Sequence, residues 1–149
     1  MLKSASPALV VLSLLWSAGC NSEAPTSPIT FVGPANLVVT DLRVGNGATL
    51  ALGQTARVHY GLWLFDPHGA DSKGTMIQDS RVGGGPTGVP IRIAADAVIL
   101  GWVEGMPGMN VGGLRRLVIP PSLAFGPNGN ASIPPNAWLI FDIELLGID

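Results

Sequence analysis

From about residue 36 onwards, hydrophobic and polar residues alternate along most of the chain, and clusters of glycine, asparagine and proline interrupt the alternation. In NLVVTDLRVGNGATL, Val38, Leu42 and Val44 share one face and Asp41 and Arg43 the other, which predicts a strand ending at Gly45-Asn46-Gly47. QTARVHYGLWLF predicts a longer second strand, with Val58, Tyr60, Leu62 and Leu64 facing one side and Arg57 and His59 the other. TMIQDS and IRIA are shorter strand candidates, set off by the loop chemistry of DPHGADSKG and RVGGGPTGVP. GLRRLVIP puts Arg115, Leu117 and Ile119 on one face and stops at Pro120-Pro121, which cannot continue a central strand. SLAFGPNGNASIPPNA reads as a long turn-forming loop. WLIFDIELL then closes the chain with Leu139, Phe141, Ile143 and Leu145 on one face.

One stretch departs from the period of two. Asp96 is placed to cap a short helix through AVILGWVEGM, which Gly101 and Gly105 weaken and Pro107 ends. Four or five strands around one short helix make an antiparallel α+β domain with the helix segregated to one face. The helix would carry Trp102, flanked by aliphatics with almost no charge nearby. Such a tryptophan is either ordinary core or the floor of an open pocket, and the residues alone leave both readings standing.

Ahead of the alternating region the pattern is of another kind. MLKSASPALVVLSLLWSAGC has an early positive charge at Lys3, an apolar run from Ala8 to Trp16, and small residues before Cys20. Residues 1–20 therefore read as a secretory signal, too short for a membrane span. Small residues directly before a cysteine resemble a bacterial lipoprotein signal, which implies lipid attachment at Cys20 and a membrane anchor facing the periplasm or the exterior. Ser17 stands where leucine is usual, so an ordinary cleaved signal ending near a free thiol is the other reading. Residues 21–35, rich in Pro, Ser and Thr, read as a flexible linker, and 36–149 as the folded domain.

Composition narrows the function classes. The 149 residues allow one domain with an extension, and a net charge of -2 gives no electrostatic footprint for nucleic acid. Charged residues are 12%, about half the usual ~25%, while 20 glycines and 13 prolines point to a turn-rich fold. The sole cysteine cannot form an internal disulfide, and the two histidines, His59 and His68, stand in no HExxH or CxxC pattern. VGGGPTG lacks the lysine and helix start of a phosphate-binding loop. No metal and no cofactor is expected.

Three blocks in order, VHYGLWL, GWVEGMPGMNVGGLRRLVIPPSLAFG and IPPNAWLIFDIELL, together resemble the FKBP-type peptidyl-prolyl cis-trans isomerases over Thr40 to Leu146. The resemblance implies a half-wrapped antiparallel sheet around one short α-helix, with Trp102 at the bottom of an apolar pocket between them. Tyr60 and Phe141 would be aromatic walls, Val98 and Ile99 would line the pocket, and the Ile99 N–H would bond a ligand carbonyl. Ile133 matches an aliphatic residue of a long loop overhanging the pocket.

Several positions depart from the family pattern. Phe125 stands where a tyrosine is usual, Ile91 where an aromatic is usual, and IQDS replaces Phe-Asp-Ser-Ser. Counted without a gap, Ile77 takes the phenylalanine's place and Gln78 the aspartate's; slipped by one, Asp79 supplies the carboxylate. The implied activity is isomerisation of X-Pro bonds in unfolded or partly folded exported polypeptides by a monomer. The implied ligands are proline-containing segments and macrolides. A binding module of the same fold without useful turnover, and a surface lipoprotein with a vestigial pocket, are the competing readings.

Overall fold

The computed structural model describes residues 30–83 and 85–149. Cys20, the signal segment and the linker up to residue 29 lie outside the described residues.

The alternation is realised as six antiparallel strands: β1 (Val38–Arg43), β2 (Thr55–Phe65), β3 (Lys73–Asp79), β4 (Val89–Arg92), β5 (Leu114–Ile119) and β6 (Leu139–Ile148). They make one sheet in the order β1-β5-β6-β2-β3. The first half of β2 pairs with β4 and its second half with β3, so this single long strand carries two short partners on one edge. That division accommodates both short strand candidates, so six strands form where four or five were expected. Along β6 the inward residues Leu139, Ile143 and Leu145 are fully buried and Phe141 nearly so, meeting Val58, Leu117 and Ile119 in the core.

The only α-helix among the described residues, α1 (Leu100–Gly105), starts later than the sequence predicts. Asp96 does not cap it. The Ala97 and Val98 amides both donate to the Ala94 carbonyl, at 2.9 and 3.1 Å, which holds this stretch in a turn, and Ile99 takes the cap position without a side-chain bond. Asp96 pairs instead with Arg92, 3.2 Å away. Gly101 and Gly105 let the helix lie close on β5: a Cβ at Gly101 would overlap Ile119, and one at Gly105 would sit 2.7 Å from Leu117. Arg115, buried on the inner face beside Leu117, fastens the helix end. It donates to the carbonyls of Gly105 (2.9 Å) and Pro107 (3.3 Å) and forks onto Asp41. Those carbonyls have no partner within so short a helix, so a cation there is doubly favourable.

The outer face of the sheet is closed by ion pairs and one tryptophan. Trp63 lies over Gly61, where a Cβ would overlap its ring, and Lys73 Nζ stands 3.8 Å from the ring centroid. Lys73 and Arg116 share Asp142, each at 2.6 Å, and Arg43 and Arg81 share Glu144. His59, on the side of β2 opposite Tyr60, is buried on this face with Nδ1 3.4 Å from Ser80 Oγ.

Two ends behave differently from the sequence pattern. Every residue of β1 is exposed, and this edge strand pairs with β5 alone. The last residues of the expected linker lie on the domain: the Phe31 ring meets His68 edge-on, and Trp138 Nε1 donates to the Pro34 carbonyl at 2.9 Å across Gly33.

Candidate functional site

Between the concave face of the sheet and α1 lies an open pocket of about 190 Å³. Its floor is aromatic. Trp102 projects from the first turn of α1, Tyr60 from the middle of β2 and Phe141 from β6. The indole meets Tyr60 at 5.4 Å with planes 86° apart and Phe141 at 5.3 Å with planes 85° apart, so both neighbours approach it edge to face. Such packing suits the ring quadrupoles and fixes each ring against the next. Trp102 is 4% and Phe141 5% exposed, whereas Tyr60 is only half-buried and opens to the mouth. Trp102 Nε1 is buried and has no oxygen or nitrogen partner.

Polar groups around the pocket are few. Burial pushes the Tyr60 phenol above its ordinary range, so it stays protonated at neutral pH and can donate. Val98 donates its amide to Ala94, but the next amide, that of Ile99, has no acceptor among the described residues. It stands at the helix start, where amides have no partner within the helix, and Ile99 itself lines the pocket. Among the described residues no group of three or more His, Cys, Asp or Glu side chains converges on a point that could hold a metal.

The expected residues divide into those the fold gathers here and those it does not. Tyr60, Trp102 and Phe141 meet as floor and wall; Val98, Ile99, Ile91 and Phe125 complete the lining. Phe125 lies at the lip, 36% exposed. Leu62 and Gln78 also line it. Leu62 was readable from the alternation of β2, and Gln78 follows from it: the two are directly paired, so their side chains share the inner face. A bulge at Ile77 sets this register, since Leu62 pairs with Gln78 and Trp63 with Met76. Ile77 and Asp79 are thereby displaced from the pocket to an adjoining cavity, and Asp79 Oδ1 accepts the Arg81 amide at 2.9 Å. Ile133, within the long loop, is buried and lines a third cavity with Leu64 and Ile77, not the aromatic pocket.

Comparison with known proteins agrees with this geometry. The family model for "FKBP-type peptidyl-prolyl cis-trans isomerase" matches residues 47–146. The "Probable FK506-binding protein" of Corynebacterium glutamicum is 36% identical over 83% of this chain and 93% of its own length. The chloroplastic peptidyl-prolyl cis-trans isomerase FKBP16-4 of Arabidopsis thaliana is 39% identical over 85% of this chain, which spans 54% of that protein; for Arabidopsis FKBP53 the share is 23%. Among solved structures, AtFKBP13 superposes with a TM-score of 0.64 at 34% identity, over 79% of this chain and 97% of its own. FkpA from Escherichia coli gives 0.64 at 37%, over 76% of this chain and 48% of that one.

Proposed function

The chain belongs to the FKBP-type peptidyl-prolyl cis-trans isomerases, and we propose that its aromatic pocket accelerates rotation about X-Pro bonds in polypeptide substrates. The barrier to be lowered is about 20 kcal/mol, set by resonance in the C–N bond, and the uncatalysed step takes tens to hundreds of seconds. As the amide twists, resonance is lost and the bond becomes less polar. A dry pocket walled by Tyr60, Trp102 and Phe141 favours that state over the planar one, relative to water. The free Ile99 amide and the protonated Tyr60 hydroxyl supply donors that hold the chain while it twists. No nucleophile, metal or cofactor enters the reaction.

A single observation carries this reading: at the bottom of an open pocket the Trp102 ring of the helix meets two rings of the sheet, Tyr60 and Phe141, edge to face. The same pocket is offered to macrolides. Substrates are unfolded or partly folded exported proteins, and the enzyme works as a monomer tethered outside the cytoplasm by lipid on Cys20. The apolar run and small residues before that cysteine support this placement.

The deciding experiment is isomerisation of a short X-Pro peptide by the purified chain, with and without a macrolide. Macrolide-sensitive acceleration is the expected result. Macrolide binding with an unchanged peptide rate would replace the enzyme by a binding module, a reading that Phe125 and Ile91 favour because both make the pocket less equipped than the family norm. Membrane-fraction labelling with a radioactive fatty acid, lost in Cys20→Ala, tests the anchor.

A further inference from the structure

Beside the aromatic pocket lies a second, larger cavity of about 560 Å³, and the two share Tyr60 and Gln78 as a common saddle. Any polypeptide with a proline in the first cavity must leave it in some direction, and across Tyr60 and Gln78 it meets the second cavity. The second cavity has an apolar wall from Met76, Ile77 and Val89, and Asp79 also lines it.

The charges around this cavity are unequal. Asp79 contributes a carboxylate, and one of its oxygens, Oδ1, accepts the Arg81 amide at 2.9 Å. The guanidinium of Arg81 is held elsewhere: its Nη2 bonds Glu144 at 2.9 Å, and its Nη1 remains 4.0 Å from Asp79. No lysine or arginine lines either cavity. A side chain with a long apolar stem and a cationic head matches this arrangement, stem along Met76 and Val89, head on Asp79. An acidic side chain placed there would meet the carboxylate, and the cation beside it, Arg81, is already bonded to Glu144.

We propose that this adjoining cavity is a specificity subsite for a lysine or arginine next to the substrate proline, with Asp79 as the residue that reads the charge. The proposal rests on the isomerase reading and deepens it, by naming the class of X-Pro segment the pocket takes. Asp79 thus acts on the choice of substrate from outside the aromatic pocket.

The test uses the purified chain and peptides that differ only in one residue flanking proline, Lys, Leu or Glu, placed before the proline in one series and after it in another. In at least one series kcat/KM for Lys should exceed that for Glu about threefold or more, the scale of one exposed ion pair and one avoided repulsion. Asp79→Asn should bring that ratio towards one, whatever it does to the absolute rate. Met76→Lys, on an exposed position of the edge strand β3, should lower or invert it. Raising salt should shrink the ratio in the native chain. A ratio near one in both series, or one that Asp79→Asn leaves intact, overturns the proposal. If no peptide is turned over, the isomerase reading fails separately, and the same peptides titrated against tryptophan fluorescence still report the Lys-to-Glu preference.

Discussion

Trp102 and Phe141 meet edge to face with ring centroids 5.3 Å apart, one ring contributed by the helix and the other by the last strand. Their contact joins the two layers of the domain at the point where the pocket is deepest. The pair therefore has a packing role and a functional one, and a substitution must separate them. Trp102→Ala empties the floor and costs about 3–5 kcal/mol of stability. Trp102→Leu keeps the site apolar and largely filled while removing the flat ring. X-Pro peptide turnover is expected to fall more than tenfold in Trp102→Leu, with a urea midpoint closer to native than that of Trp102→Ala. Native-like turnover in a folded Trp102→Leu protein would remove Trp102 from the reacting site.

Phe125 stands at the lip of the pocket, about a third open to solvent, where a hydroxyl would face an incoming chain. Phe125→Tyr adds one donor at little packing cost, because the para position of a partly exposed ring has room. One hydrogen bond is worth about 0.5–1.5 kcal/mol, so macrolide affinity should rise by roughly two- to twelvefold. Calorimetric titration of both forms measures it; equal affinities would mean that the lip does not touch the ligand.

The architecture was legible where residues are buried on one side only. Leu139, Phe141, Ile143 and Leu145 point to the core in turn, and that period of two is written directly in WLIFDIELL. What the pattern could not show were local hydrogen bonds and register. Asp96 has the chemistry of a cap, yet the Ala94 carbonyl captures two amides first and delays the helix. Whether residue 77, 78 or 79 faces the pocket depends on the bulge that pairs Gln78 with Leu62, and a bulge leaves no mark in a strand of mixed polarity. The Pro34 contact with Trp138 spans 104 residues, so nothing in the Pro/Ser/Thr-rich composition around Pro34 announces it. Of the site, the aromatic residues and the helix-start aliphatics came through the family motifs, while Ile77, Asp79 and Ile133 are set around the pocket by geometry that the motifs do not encode.

Gly101 gives a prediction whose sign runs against helix propensity. In an exposed helix Gly→Ala stabilises by about 1 kcal/mol. Here the new methyl would overlap Ile119, a fully buried core residue of β5, so the helix must lift from the sheet. Overpacking of this kind typically costs about 1–3 kcal/mol, which outweighs the propensity gain. Gly101→Ala should lower the urea midpoint, and because α1 carries Trp102 it should also change the tryptophan fluorescence of the folded state. A raised midpoint would show that the helix does not press on β5 at that position.

Asp142 governs how the domain responds to acid. Its carboxylate is 15% exposed and receives Arg116 Nε at 2.6 Å and Lys73 Nζ at 2.6 Å. Burial alone would raise its pKa, but the hydrogen bonds and charges of Arg116 and Lys73 outweigh burial and hold it below the ordinary carboxylate value. Glu144 is lowered by its bond from Arg43, with Arg81 assisting, and Asp41 by its bond from Arg115. For a carboxylate depressed in the folded state, the unfolded chain binds protons first as pH falls. The stabilisation is complete above the unfolded values near ~4 and is lost as pH drops through the lower folded values. Stability should therefore be flat in this contribution near neutrality and fall steadily below about pH 4. Asp142→Asn leaves Arg116 and Lys73 facing an uncharged partner, and breaking so enclosed a cluster should cost about 3 kcal/mol at pH 7. The same substitution should cost much less near pH 2, because below the unfolded value near ~4 the unfolded native chain takes up the proton and the stabilisation from the folded carboxylate declines. Urea unfolding of both proteins at several pH values measures the difference. If the gap between native and Asp142→Asn stayed constant down to pH 2, the charge on Asp142 would not be what ties β3 and β5 to β6 on the outer face.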